Sequence, residues 1–326
     1  MDFNLSAELA ACRFGDPQRP VTADEVIDRL RAGELVPNVE LRAVDLTGKD
    51  LSGLSMRDLD LTEVDLSRVN LSWADLTDAV LYRANLSGAE LVKADLTRAD
   101  LSECNAERTG FGGTTLNHTT FFRAQLSGSS FTQAEVRCVD FRTANLKGAR
   151  FQNAALSQCL FAGANLQSAN FERADVEGSD FHDADLRHAH LKELRGFKTS
   201  SWISADIRDV DFCGAYLVRR HIMDQNYLHE FRRDSPKVYW IWWVTSDCGR
   251  SFLRWALWTT LVAVLFAGFY SFAAVDFGDY ETPFSPLYYS LVTLTTLGYG
   301  DVLPASGWAQ FLAVCEVIVG YVALGG

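Results

Sequence analysis

The stretch TLTTLGYGDVLP, residues 293–304, lies between two apolar segments and holds three threonines, two glycines, a tyrosine and an aspartate. Neither it nor the rest of the chain offers a nucleophile–base pair or a phosphate loop, so no enzymatic activity is expected. What it offers is main chain. Glycine permits conformations in which successive carbonyls point to one side. Backbone at membrane depth must be bonded internally or line a wet cavity. One such loop gives one row of oxygens. Four copies round an axis give rings, and rings of carbonyls can replace the water shell of a cation.

Other chemistry-bearing residues are few. Glu316 interrupts an apolar run, and an ionisable group at membrane depth is functional by default; it is expected to face the back of the preceding short helix rather than an ion path. Gly320, one turn later, is a candidate hinge or a close-packing position. His182, His188 and His190 fall on polar repeat positions and do not suggest a metal site. The seven cysteines are scattered, without a C-x-x-C, which argues against a disulfide framework or structural zinc and for a reducing compartment.

The loop needs elements to hold it. Residues 256–275 carry no charge and are long enough to cross a bilayer. Thr259, Thr260 and Ser271 within them can bond back to the helix's own carbonyls. Trp308 opens a second apolar run that reaches Gly326, short of the far side. Between the two, residues 284–295 read as a half-helix, with Phe284, Leu287, Tyr288, Leu291 and Leu294 on one face and Ser285-Pro286 in the first turn.

In this setting the stretch resembles the potassium-channel signature, T-x-G-Y-G, preceded by Thr295 and followed by Asp301. The resemblance covers residues 252–326. It implies an outer helix at 252–275, a re-entrant pore helix at 284–295, a filter at 296–300, an inner helix from 308, and four subunits per channel. By that match Thr296, Leu297, Gly298 and Tyr299 coordinate potassium, Gly300 opens the outer mouth, and Tyr299 wedges against Tyr288 and Tyr289. Thr295 and Asp301 support the filter. Leu297 stands where Val or Ile is usual, and Val292 where some relatives carry a carboxylate. Potassium is the one ion implied, with no organic cofactor.

The chain before this counts in fives. Stepping from Leu41 through Leu46, Leu51, Met56 and onward to Leu191, every fifth residue is apolar, and from Phe111 to Phe181 every tenth is Phe. Two residues earlier the side chain is usually small, as at Ala74, Ala84 and Cys104. The residue between is often Asp or Asn, as at Asp45, Asn85 and Asp185. In-out-in is strand alternation, and a helix would spiral the large residues round its axis. Residues 41–217 resemble the pentapeptide-repeat family, which implies a right-handed, four-sided β-helix with four repeats per coil. The phenylalanines are then expected in two stacked columns on opposite sides. After Leu191 the series resumes six residues on, at Phe197. The extra residue is expected within residues 193–196, as a bulged corner at Gly196.

Residues 1–40 are expected to cap the open end, with a capping box at Thr22–Glu25 and a short helix near 23–32. Residues 218–251 form a basic and aromatic linker. Met223, Tyr227 and Phe231 have the spacing of one helical face, and Tyr239, Trp240, Trp242 and Trp243 suit a membrane–water boundary.

A net charge of −12 disfavours general nucleic-acid binding. The first residues have no apolar core, so no signal peptide is expected. Arg250 and Arg254 flank the first span on one side, and Asp276, Asp279 and Glu281 on the other. The repeat domain is therefore expected in the cytosol of a multi-pass protein of the plasma (inner) membrane, bacterial in character. The expected function is a homotetrameric potassium channel in a lipid bilayer, its repeats serving assembly or regulation and open to an unknown cytosolic ligand or protein. No arginine-studded voltage sensor or Rossmann domain is visible. The alternatives are a membrane-tethered acidic repeat protein of the DNA-mimic kind, and a nonselective cation channel.

Overall fold

In the computed structural model, residues 22–34, 36–278, 282–295, 297, 300 and 302–323 are described. The chain forms two compact units that divide between Leu228 and His229.

The first unit is a β-solenoid. Its bridges are parallel and join residue i to i+20, as at Asp65↔Asn85 and Asn85↔Asn105, so four five-residue sides make one coil. Two sides lengthen into strands, β1 (Glu135–Arg137) and β2 (Ala155–Ser157), paired in the same register. The ladder is continuous: Leu66 N–H donates to the Asn85 carbonyl at 2.7 Å, and Asn85 N–H donates to the Val64 carbonyl at 3.0 Å.

The corner explains the repeat. Leu71 C=O accepts from Ala74 N–H at 3.1 Å, and Trp73 at the third turn position has φ +65°, the geometry of a type II turn. A side chain in that region costs about 1–2 kcal/mol, yet Arg68, Arg83, Lys93 and many others accept it. The outward Asp or Asn offsets part of that cost: Asp65 Oδ1 accepts from Ser67 N–H at 3.0 Å, and Asp75 Oδ1 from Thr77 N–H at 3.0 Å. This is an Asx turn, and only a short side chain with an acceptor makes it. Asn adds a second bond between coils, as from Asn85 Nδ2 to Asp65 Oδ1 at 3.0 Å.

Inside, the small slot admits a hydroxyl if it finds a carbonyl. Thr109 donates to Leu86 and Thr119 to Leu96, both at 2.7 Å. Cys104 and Cys159 fill the same slot, and burial pushes each thiol up to about 12, which leaves them unreactive at neutral pH. The phenylalanines form the two expected columns. Phe131 stacks on Phe151 at 4.9 Å, Phe141 on Phe161 at 5.0 Å, and the columns meet edge to face, Phe141 to Phe151 at 6.2 Å. Trp202 continues one column over Phe181 at 4.2 Å.

The register slip lies slightly later than the sequence suggests. Arg195 still pairs with Asp175 at i+20, whereas Ser201 pairs with Asp180 at i+21. The added residue therefore falls within residues 196–200. Gly196 begins this bulge with φ +71°, and a methyl there would overlap the Glu177 amide.

Both ends are closed by helices. At the N-terminal end, α1 (Ala23–Arg31) starts at Thr22, whose side chain accepts from Glu25 N–H, as the capping box requires. A further helix, α2 (Asn38–Ala43), carries Leu41. The first member of the five-residue series thus sits on a helix, and pairing starts only at Asp50. At the other end α3 (Tyr216–Asp234) begins one residue before the expected end of the repeats. Its packed face is Val218, Ile222, Gln225 and Asn226 rather than Met223 and Tyr227, which are exposed. The reason is backbone, not apolar area. Gln225 accepts from Trp202 N–H and donates to Ser200 C=O, both at 2.9 Å. Asn226 accepts from Ser204 N–H at 2.7 Å and donates to Trp202 C=O at 3.0 Å. Two side-chain amides do the work of a missing strand on the last coil.

The second unit is helical: α4 (Pro236–Ser246), α5 (Phe252–Tyr270), α6 (Ser285–Leu294) and α7 (Gly307–Ala323). A two-residue antiparallel ladder, β3 (Val275–Asp276) with β4 (Leu303–Pro304), ties the segment after α5 to the segment before α7.

Candidate functional site

The site is built round α6. Its N-terminus is fixed by Pro286 in the first turn and by Ser285 Oγ, which accepts from Thr282 N–H at 2.8 Å. Its C-terminus leads into the glycine-rich stretch. Thr295 N–H donates to the Leu291 carbonyl at 3.1 Å, and Leu297 N–H reaches back to Val292 at 3.1 Å. Leu297 is exposed, and Gly300 has φ +78°, a conformation that favours glycine. Thr296, Gly298, Tyr299 and Asp301 lie outside the described residues.

On one side α6 meets α5. Thr259, Thr260 and Ser271, along α5 and at its C-terminal cap, return their hydroxyls to the carbonyls four residues back, at 2.7, 2.8 and 3.0 Å, as expected for polar groups in an apolar setting. Tyr289 is buried against Tyr270, ring centroids 4.7 Å apart, and near Phe277. Tyr288 is half exposed. The two tyrosines grouped together in the sequence thus face different surroundings.

The five residues grouped on one face of α6 in the sequence do not share one environment: Leu294 is buried, whereas Phe284, Tyr288 and Leu291 are exposed, and Tyr289, Ser290 and Val292 are buried with Leu294. Within one chain α5 and α7 cover the buried residues and leave Phe284, Tyr288 and Leu291 exposed.

On the other side α6 meets α7 in parallel register. Ser290 faces Glu316, and Leu294 faces Gly320. Glu316 is fully buried. Tyr270 Oη donates to Glu316 Oε2 at 2.8 Å, Ser290 Oγ bonds Oε1, and Ser290 Oγ also reaches the Ala263 carbonyl at 2.9 Å. One carboxyl group therefore links α5, α6 and α7. The sequence singled out Glu316 and its direction but neither partner. An isolated Ser290 and Tyr270 carry no signal without the fold. Gly320 lies close against α6: a methyl on it would overlap the Leu294 carbonyl.

Outward, α7 presents Trp308, Phe311, Val314, Ile318 and Tyr321, an apolar stripe opposite the packed one. On α4, Val238, Trp240, Ile241 and Trp243 are exposed as well, while Phe231 packs edge-on to Trp242 at 5.6 Å. By length and composition α5 is the one helix among the described residues apolar and long enough to cross a membrane, and residues Gly307–Tyr321 form a shorter apolar helix. His182 and His190, on the solenoid surface, sit beside Asp183 and Asp211, each at 3.2 Å.

Comparison with known proteins gives separate matches within the two units. Residues 74–151 match the pentapeptide repeat region family, and residues 40–78 and 146–190 match pentapeptide repeats. Residues 257–326 match the ion channel family. Over 79 residues the chain is 33% identical to two-pore potassium channel 5 of Arabidopsis thaliana, a match covering 23% of this chain and 19% of that protein. The chain thus spans about a fifth of the curated relative's length. Among solved structures it is similar to HetL, a pentapeptide repeat protein involved in heterocyst differentiation regulation from Nostoc, at 25% identity, 59% coverage of this chain and 94% of that one, with a TM-score of 0.25. It is also similar to a pentapeptide repeat protein of the Arabidopsis thaliana thylakoid lumen, at 28% identity, 44% and 71% coverage, with a TM-score of 0.14.

Proposed function

Starting from a chain that joins pentapeptide repeats to an ion-channel domain, we propose that it is a potassium-selective channel of a lipid bilayer, assembled from four copies. In this reading α5 is the outer span, α7 the inner span, and α6 a re-entrant pore helix. The carbonyls of Thr296, Leu297, Gly298 and Tyr299, with the Thr296 hydroxyl, replace the hydration of potassium, and Gly300 lets the row open outward.

The observation that carries the reading is α6 itself. A ten-residue helix is wedged between two apolar helices and ends shortly before Leu297, within the region matched by the ion channel family. At about 1.5 Å per residue a helix this short spans half a hydrocarbon core of about 30 Å, so it suits a segment that enters and returns. The exposed apolar faces of α6 and α7 suit burial against further copies and lipid. The basic residues at and before the start of α5 and the acidic ones after it suit a solenoid in the cytosol, serving assembly or regulation. The aromatic residues of α4 suit the membrane boundary.

The test is electrical. Full-length protein in liposomes, with potassium and sodium gradients opposed, should carry a current that reverses near the potassium equilibrium potential. A reversal midway between the two ions means a nonselective pore, and no current with intact protein in the bilayer overturns the channel reading.

A further inference from the structure

The hydrogen bonds round Glu316 contain more acceptors than the obvious donors supply. Tyr270 Oη has one proton and lies 2.8 Å from Glu316 Oε2. Ser290 Oγ has one proton and two oxygen neighbours, the Ala263 carbonyl at 2.9 Å and Glu316 Oε1. A backbone carbonyl can only accept. If Ser290 gives its proton to Glu316, its contact with Ala263 sets two lone pairs face to face. If it gives the proton to Ala263, the close contact with Oε1 has no hydrogen unless the carboxyl supplies one.

The surroundings decide between these. The groups bonded to Glu316 are Tyr270 from α5 and Ser290 from α6; the other titratable groups of the surrounding apolar cluster are Tyr289, whose ring lies 4.7 Å from that of Tyr270, and Cys315, which packs against the cluster. No lysine, arginine or histidine lies on α6 or α7, and Arg254 is at the exposed start of α5. A buried carboxylate without a cation and with two hydrogen bonds is costly. A neutral acid uses every group once: Tyr270 O–H donates to Oε2, the carboxyl O–H donates to Ser290 Oγ, and Ser290 O–H donates to Ala263 C=O.

We propose that Glu316 works as a neutral carboxylic acid, a positioning residue whose proton completes a relay from Tyr270 to Ala263 and holds the pore helix α6 between α5 and α7. This rests on the channel reading for its consequence, since α6 leads directly into residues 295–301. It acts on the filter through α6, by way of Ser290, four residues before Leu294. Loss of the proton leaves a charge in the cluster and an unmatched pair of oxygens at Ser290, so α6 loses its seat.

Glu316→Gln keeps the arrangement, because its amide N–H donates to Ser290 and its carbonyl accepts from Tyr270. Glu316→Ala removes it. Two measurements on the full chain in liposomes test the proposal. Infrared difference spectra of wild type minus Glu316→Gln should contain the C=O stretch of a neutral carboxylic acid at neutral pH. Potassium flux should survive in Glu316→Gln, fall at least about tenfold in Glu316→Ala, which corresponds to about 1.4 kcal/mol, and fall with rising pH in wild type but not in Glu316→Gln. The absence of the neutral-acid band overturns the proposal, as does an alkaline profile shared by wild type and Glu316→Gln. The infrared result stands whether or not the protein conducts, so failure of the channel reading, seen as a wild type without potassium flux, is distinguishable from failure of this one.

Discussion

Gly320 lies against the main chain of Leu294, so close that a methyl on its α-carbon would overlap the Leu294 carbonyl oxygen and stand 3.1 Å from its carbonyl carbon. Leu294 is the last residue of α6, and the stretch that follows carries the proposed filter. Backbone cannot retreat as a flexible side chain can, so the helices must separate to admit a β-carbon.

Gly320→Ala is therefore expected to destabilise the assembled protein by about 1–3 kcal/mol, the usual cost of overpacking, and to lower potassium flux. Thermal melting of the assembly in detergent checks it. A glycine that served only as a hinge would alter open times and leave the melting temperature unchanged.

In the solenoid, Phe151 is stacked between Phe131 and Phe171 at 4.9 Å on each side and is fully buried. Phe151→Ala should cost about 3–5 kcal/mol because stacked coils cannot collapse into the gap. Denaturant unfolding followed by limited proteolysis should place the loss in the repeats, with α5 to α7 protected as in wild type.

Gln225 and Asn226 replace a strand on the last coil with four hydrogen bonds. At about 1 kcal/mol net per bond, the double change to Ala should speed amide exchange at Trp202 and Ser204 by more than about tenfold. Exchange at the central coils, such as Leu126 and Leu146, should be unchanged. Hydrogen-exchange mass spectrometry separates the two regions.

Acid should weaken the solenoid below a defined pH. Hydrogen bonds from Arg187 hold the Asp185 carboxyl well below its ordinary 3.8, and those from Arg208 lower Asp206 as well. A depressed native value means stabilisation that is complete above the unfolded value and is lost as pH falls through the native one. The urea midpoint should be flat from about pH 7 to pH 5 and drop below about pH 4. Asp185→Asn should lower the midpoint at neutral pH and reduce the acid-induced drop.

How much of this was legible in the sequence differs between the two units for a physical reason. In the solenoid each contact repeats. Leu66 N–H donates to the Asn85 carbonyl as Leu86 N–H donates to that of Asn105, and the Asx turn at Asp65 is remade at Asn85 and Asp185. Local rules applied every five residues therefore specify the coil, its columns and its buried cysteines. Sequence reasoning faltered where the repetition stops: at Leu41, which a helix takes over; at the bulge, slightly later than expected; and at Gln225 and Asn226, whose amides look like ordinary surface groups until a bare coil edge lies beneath them.

The helical unit is the reverse case. Its linear pattern fixed the order of elements, the short helix ending near Leu294, and the glycine-rich stretch whose side chains offer so little chemistry beside its main chain. Which face of α6 is buried, and that Glu316 meets Tyr270 across 46 residues of chain, depended on three helices packing together. Each of those helices is apolar on nearly every side, so periodicity alone could not choose a face, and only the packing could.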